Sequence, residues 1–231
     1  MFREGDRILM GVSGGPDSLA LLSLLHEGSL GLPRPGALIA LHVDLGFSQA
    51  PPQNREQLEQ YFRSRSIEYR IVQTEISGKA LDPNARKNPC FICSMYRRRV
   101  VYETAHREGC TKIAYGHHKD DLIETLLINI LYGRKIEAMN PVQNVFRGKM
   151  HIIRPLVYIW EEELKQYALE QSFPVLPRLC PMDGKSRRHK IKKMIRTLQE
   201  GEKNANIREN IFKSLKHVNV DPIFRGRFSN E

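Results

Sequence analysis

The segment Ser13-Gly14-Gly15-Pro16-Asp17-Ser18 combines two glycines, two hydroxyls and a carboxylate, and it stands between apolar runs at 8–12 and 19–22. That order predicts a buried strand, a glycine turn and a helix. Glycines let backbone N–H groups approach a phosphate closely, and a helix start adds orphan N–H donors and the positive end of a dipole. The chemistry indicated is nucleotide phosphate binding. Neither G-x-x-x-x-G-K-[ST] nor G-x-G-x-x-G occurs, so a Walker loop and a dinucleotide fold are not indicated. Serines serving only as helix caps at such a corner are the plainer alternative.

A second group lies at 116–121, Gly116-His117-His118-Lys119-Asp120-Asp121. Asp120 and Asp121 near a helix N-terminus can be caps. Beside a triphosphate they can instead hold Mg2+, which keeps waters and takes one or two carboxylates plus phosphate oxygens. The second reading is favoured because both segments fall at the same sheet edge. Asp17, Asp120 and Asp121 are therefore the catalytic candidates. His42 and Asp44, closing the second strand, and Gly116 are candidates for the nucleotide site, with adenine expected near 41–44.

Cysteine supplies the third group. Cys90 and Cys93, three apart at a helix start, point the same way and can grip one metal centre. With Cys180 they make three thiolates, one short of the four usual for zinc or for an iron–sulfur cluster. Two unrelated buried cysteines, or a redox C-x-x-C, are alternatives. Arg97, Arg98 and Arg99 follow the pair and would neutralise cluster charge or touch phosphates. Cys110 is expected to be a small buried filler.

These groups need a scaffold. Strands are predicted over 7–12, 37–43, 67–73 and 111–116, alternating with helices over 17–26, 52–65, about 90–108 and 119–132. Strands such as 37–43 and 112–115 are near-continuous apolar runs, as a sheet covered on both faces requires. The order argues an α/β fold with a doubly wound parallel sheet, which binds ligands beyond the carboxyl ends of its strands. A mobile loop is expected over 74–89, a short strand over 152–154 and a helix over 160–171. Basic helices follow at roughly 184–200 and 204–217. The expected division is a nucleotide and cysteine domain over 1–181 and a basic helical extension over 182–231.

The 231 residues are 41% hydrophobic and 27% charged, as in soluble globular proteins. No apolar run of about 18 residues exists, so no membrane partner is expected. The N-terminus lacks the apolar core of a secretory signal, which points to the cytoplasm. Four cysteines there are not a disulfide framework. The net charge is +10 and the pI near 9.6. Between 182 and 217, eleven Lys and Arg face four acids. Such charge beside a nucleotide site favours nucleic acid over a merely solvated face.

S-G-G-x-D-S at 13–18 resembles the signature of the PP-loop ATPases, which hold the pyrophosphate of ATP while a substrate attacks the α-phosphorus. The strings CFICSMYRR at 90–98, TKIAYGHHKDD at 111–121, LIETLLINILYG at 122–133 and IRPL at 153–156 resemble the tRNA 2-thiocytidine synthetase family of PP-loop proteins. The resemblance covers most of residues 5–181. It implies an ATP-dependent tRNA sulfurtransferase with a [4Fe–4S] cluster. By carry-over, Ser13, Gly14, Gly15, Asp17 and Ser18 match the ATP loop, and Cys90, Cys93 and Cys180 match the cluster ligands. The implied reaction adenylates a cytidine 2-oxygen and exchanges it for sulfur with Mg2+ in attendance. An unstacked RNA loop suits it better than a duplex. The partners expected are tRNA and a sulfur donor such as a cysteine desulfurase, with a homodimer compatible with the sequence.

Three features depart from the family. Pro16 stands where members commonly carry lysine, the chain starts almost at the first strand without the expected N-terminal helical extension, and Pro181-Met182-Asp183-Gly184 is not the usual continuation. A lysidine synthetase-like enzyme is a rival reading, but it needs no cysteine cluster. A zinc-containing RNA-binding module is another, but it needs neither the glycine loop nor Asp120 and Asp121.

Overall fold

Ile8, Leu9 and Met10 of β1 (Arg7–Gly11) are fully buried, with Ile8 and Met10 in one core and Leu9 in another. Alternation along a strand sends these side chains to opposite faces, so the sheet must be covered on both. The computed structural model describes residues 1–29, 31 and 33–217; the expected extension over 182–231 therefore lies partly outside the described residues. The elements that follow β1 are α1 (Pro16–Glu27), β2 (Ala37–Asp44), α2 (Pro52–Ser64), β3 (Glu68–Gln73), α3 (Ile76–Ala80), α4 (Pro89–Arg107) and β4 (Lys112–Ala114). Then come α5 (Lys119–Gly133), β5 (Val142–Val145), β6 (Met150–Ile153), α6 (Glu161–Glu170), α7 (Arg187–Gly201) and α8 (Ile207–Ser214).

The sheet order is β3-β2-β1-β4-β6-β5, parallel except for the antiparallel pair β5 and β6. Helices α1, α2 and α6 cover the face of Ile8 and Met10, and α4 covers the face of Leu9. The doubly wound α/β architecture is as expected. The chain winds outward from β1 to β2 and β3, then returns to place β4 on the other side. The crevice between the carboxyl ends of β1 and β4 is thus a topological switch point, where α/β sheets bind ligands.

Three local expectations are corrected. The tract 74–89 is not loop throughout: Ile76 and Ala80, four apart, are buried on one side of α3, and Ser77 is tied to Leu45 and Gly46 by backbone and hydroxyl bonds. The strand over 111–116 ends at Ala114. The sheet also gains β5, a short and largely exposed Val-Gln-Asn-Val edge without the apolar run that marks a buried strand. It is antiparallel because the turn at 146–148 closes a hairpin onto β6.

The chain groups into two units, residues 1–121 with 140–186, and residues 122–139 with 187 onward. Within the second, Ile191 and Ile195 of α7 are buried. The Arg188 guanidinium donates to buried Glu124 at 3.0 Å and to the Thr125 hydroxyl at 3.2 Å, and Arg187 lies 4.6 Å from the Tyr132 ring centroid. Two of the basic residues are thus engaged inside the unit. Within the first, Phe62 of α2 is fully buried and packs against Tyr61 and Tyr69. Phe62→Ala should cost about 3–5 kcal/mol through lost transfer energy and a residual cavity, read as a lower denaturant midpoint.

Candidate nucleotide and thiol sites

The loop 13–18 joins β1 to α1 at the switch point. Gly15 is the N-cap of α1 and Pro16 the first helical residue, where a fixed φ suits the helix and the missing N–H loses nothing. Pro16 therefore shapes the loop where a lysine would have offered charge. Gly14 has φ +83, and a Cβ there would stand 2.6 Å from Leu176 Cδ1. The Leu176 N–H donates to the Gly14 carbonyl at 2.9 Å. The serines mainly hold the loop: Ser18 Oγ donates to the Gly15 carbonyl and accepts from the Ser13 N–H, and the two hydroxyls lie 3.1 Å apart.

His42 and Asp44 brace this corner from β2. The Val12 N–H donates to the Leu41 carbonyl, and His42 Nδ1 lies 2.9 Å from the Val12 carbonyl. Burial pushes the imidazole below its usual range, leaving it neutral at pH 7. In that state Nδ1–H is the donor. Asp44 Oδ1 accepts from the Gly46 N–H and its carbonyl accepts from Thr74. The structure therefore gives both residues bonds that shape the loop ends.

Gly116 explains how β4 reaches the loop. A Cβ there would stand 2.9 Å from the Asp17 carbonyl oxygen, so only glycine permits this approach. His118 follows, buried, with Nε2 4.0 Å from Asp17 Oδ2 and 3.5 Å from Asp121 Oδ2, and Nδ1 3.7 Å from Asp120 Oδ2. Asp121, in the first turn of α5, accepts from the His118 N–H, the carboxylate half of a capping box. Asp120 accepts from the Glu161 N–H at 3.0 Å and caps α6. One oxygen of each acid thus does the capping weighed as the alternative in the sequence. The structure brings Asp17, Asp120 and Asp121 together around one imidazole.

Asp17 stands apart among them. Its Oδ1 is buried with no hydrogen-bond partner. Burial pushes its carboxyl above the usual range, His118 opposes that, and Glu161 and Asp121 add to it. Glu161, a buried carboxylate paired with Lys165 at 2.9 Å, and His118 are the site residues that sequence reasoning missed. The only signal was the paired histidine in the string at 111–121. A divalent cation would relieve Asp17 and complete its coordination, and the oxygen donors present fit one.

The thiols gather at the start of α4. Asn88 caps the helix by accepting from the Cys90 N–H, and Pro89 opens it. Cys90 and Cys180 are exposed, and Cys93 is partly buried. Burial pushes the Cys93 thiol up, Arg97 lowers it, and both Cys180 and Cys90 raise it. Cys90 and Cys180 thus both act on Cys93, and a ligand that takes thiolates must expel protons to bind. Among the described residues no group of three His, Cys, Asp or Glu is arranged to hold a metal ion. A cubane is ligated at separate corners and asks for sulfurs set further apart. Cys110 is buried with its thiol pushed up to about 11, as a filler should be.

A glycine loop at a switch point, faced by carboxylates, defines an α/β phosphate-loop protein. The chain belongs to the PP-loop domain family, which it matches over residues 2–175. It is 35% identical over 221 residues to a tRNA-cytidine(32) 2-sulfurtransferase of Polynucleobacter asymbioticus, covering 94% of this chain and 71% of that one. It is 38% identical over 198 residues to the protein of that name from Tolumonas auensis, covering 84% and 64%. Among solved structures it resembles the U34-tRNA thiolase NcsA of Methanococcus maripaludis with its [4Fe-4S] cluster, at TM-score 0.73 and 24% identity over 94% of this chain and 74% of that one. That likeness is one of fold. No helix among the described residues is long and apolar enough to cross a membrane.

Because the Asp17 carboxyl is raised on folding, its ionisation opposes folding above the unfolded range near about 3.9. Asp17→Asn should therefore raise the melting temperature of ligand-free protein at pH 7, by roughly 2–4 °C per kcal/mol relieved. The gain should vanish as pH falls below that range. Mg2+ and ATP should stabilise the parent more than the variant, as a pH series of melts would show.

Proposed function

We propose that this protein is an ATP-dependent tRNA sulfurtransferase that adenylates a cytidine and replaces its 2-oxygen with sulfur. The observation that carries this reading is the joint presence, in one unit, of the loop 13–18 with Asp17 and of three free thiols at Cys90, Cys93 and Cys180. An adenylating enzyme that used an amine nucleophile would need the first and not the second. The relatives' names supply cytidine 32 as the target.

The residues divide the work. With the Ser13 and Gly15 N–H groups bonded inside the loop, the Gly14 backbone and the α1 terminus would meet the phosphates of ATP, and Asp17 with Asp121 would hold Mg2+ against them. The cytidine 2-oxygen attacks the α-phosphorus and pyrophosphate leaves. AMP then departs from the base carbon as sulfur takes its place. The three thiols would hold a [4Fe–4S] cluster, which when bound supplies an iron without a protein ligand and so a place to present sulfur. Lys190, Lys193 and Arg196, exposed at three-residue spacing on α7, form a stripe suited to tRNA phosphates. A cysteine desulfurase-type sulfur donor, a homodimer and a cytoplasmic location belong to the same proposal, as does the functional division of the chain after residue 181.

Two measurements test it. Anaerobically purified protein should carry about four irons with matching sulfide. Cys93→Ala should lose both the iron and tRNA thiolation, whereas Cys110→Ala should lose neither. Zinc without sulfide would defeat the cluster, and ADP in place of AMP and pyrophosphate would defeat adenylation. Nucleoside analysis of the tRNA product distinguishes 2-thiocytidine from a thiolated uridine. Replacing Lys190, Lys193 and Arg196 with glutamine should weaken tRNA binding. It should also flatten the salt slope, by roughly 0.7 log units per log unit of salt for each single-strand contact removed.

A further inference from the structure

Arg154 follows β6 at the ligand-binding edge of the sheet and is 6% exposed. One terminal nitrogen donates to the Asn140 carbonyl at 2.5 Å and the other to Gln143 Oε1 at 3.1 Å. Its Nε is buried and meets no hydrogen-bond partner. A buried guanidinium is ordinarily paired with a carboxylate, and an orphan buried donor is costly. Here, among the described residues, no carboxylate hydrogen-bonds to the Arg154 guanidinium. Burial lowers the proton affinity of Arg154, the Tyr115 and Tyr102 hydroxyls oppose that, Arg98 adds to the lowering and Asp121 opposes it. Arg97, Arg98 and Arg154 all act on the hydroxyl of Tyr115, which burial pushes up to about 12. Among the described residues, Arg97 and Arg98 form no ion pair with a carboxylate.

Three guanidinium groups drawn to one place without an acid partner describe a site missing its anion. Its position narrows the choice. Asp121 links it to the nucleotide side and Arg97, one turn beyond Cys93, to the thiol side. RNA backbone phosphates would be met at the surface, by exposed arginines alone. A buried nitrogen without a partner suits a small phosphoryl group on the reaction path.

We propose that Arg154, with Arg98 and Arg97 beside Tyr115, forms a phosphoryl-anion pocket that holds the phosphate of AMP as it passes from ATP to the base and then leaves. This rests on the adenylation reading above. Guanidinium donors there would stabilise the phosphate charge that grows as AMP departs.

The test compares AMP with adenosine, which differ only in the phosphoryl group, by calorimetry on the anaerobic protein with its iron content recorded. The parent should prefer AMP. Arg154→Gln should cut that preference roughly ten- to hundredfold, as loss of a charged hydrogen bond does, with adenosine affinity unchanged. Arg154→Lys should recover part of it. Arg98→Gln, at an exposed and unpaired residue, should fold as the parent does and cut the preference several-fold. If both glutamine variants keep the parent's preference for AMP, the proposal is overturned. A drop in tRNA affinity with that preference intact would also overturn it, assigning the arginines to RNA backbone. Parent protein that prefers AMP yet forms no pyrophosphate with tRNA would count against the adenylation reading and leave the pocket standing.

Discussion

The close approach of the backbone at Gly116 to that of Asp17 is the constraint on which the nucleotide site depends. A methyl group there would meet the Asp17 carbonyl at 2.9 Å, so the exit of β4 lies against the start of α1 only because the side chain is absent. That contact carries His118 into the space between Asp17, Asp120 and Asp121. The same corner is held from the other side by Val12, which bonds to Leu41 and His42. Both neighbours of β1 thus position the loop, as expected for a central strand whose ladder bonds are shared on two edges.

Charge is sorted along the ligand edge. Asp17, Asp121 and Glu161 gather near the loop, and burial keeps the Asp17 carboxyl from ionising easily without a cation. On the α4 side the arginines gather instead, around Tyr115 and Cys93. Acids suit a magnesium nucleotide, whereas guanidinium groups suit a bare phosphoryl group or thiolates. The order of charges therefore follows the order of the proposed reaction. Each group leaves one buried polar atom unsatisfied, Asp17 Oδ1 and Arg154 Nε, and such atoms collect at functional sites because ligands relieve them.

The basic segment has a divided role. Arg187 and Arg188 spend their charge inside the second unit, on Tyr132 and on Glu124 with Thr125. Removing Arg188 would leave Glu124 buried beside one fewer cation, a structural loss rather than a change in RNA affinity. The exposed positions of α7 are the ones proposed above to meet RNA phosphates.

Much of this protein is legible in the sequence because its signals are local. Apolar runs at 8–12 and 37–43 place two of the strands, and the glycines at 14 and 15 with Pro16 specify a turn into a helix. The spacing of Cys90 and Cys93 fixes their common direction on α4. What the sequence by itself does not determine is which carboxylate caps and which is left unpaired. Asp17, Asp120 and Asp121 look alike as residues, but only packing leaves Asp17 Oδ1 without a partner while Asp120 is taken by a backbone N–H 41 residues away. Edge strand β5 has no apolar pattern of its own and exists because a hairpin turn lays it on β6. Arg154 reads as one letter in a conventional string, and its buried nitrogen appears only where β6 ends beside Tyr115 and α4. Local pattern sets the elements, whereas long-range contact decides which polar atoms remain unsatisfied, and those are the atoms left open to a ligand.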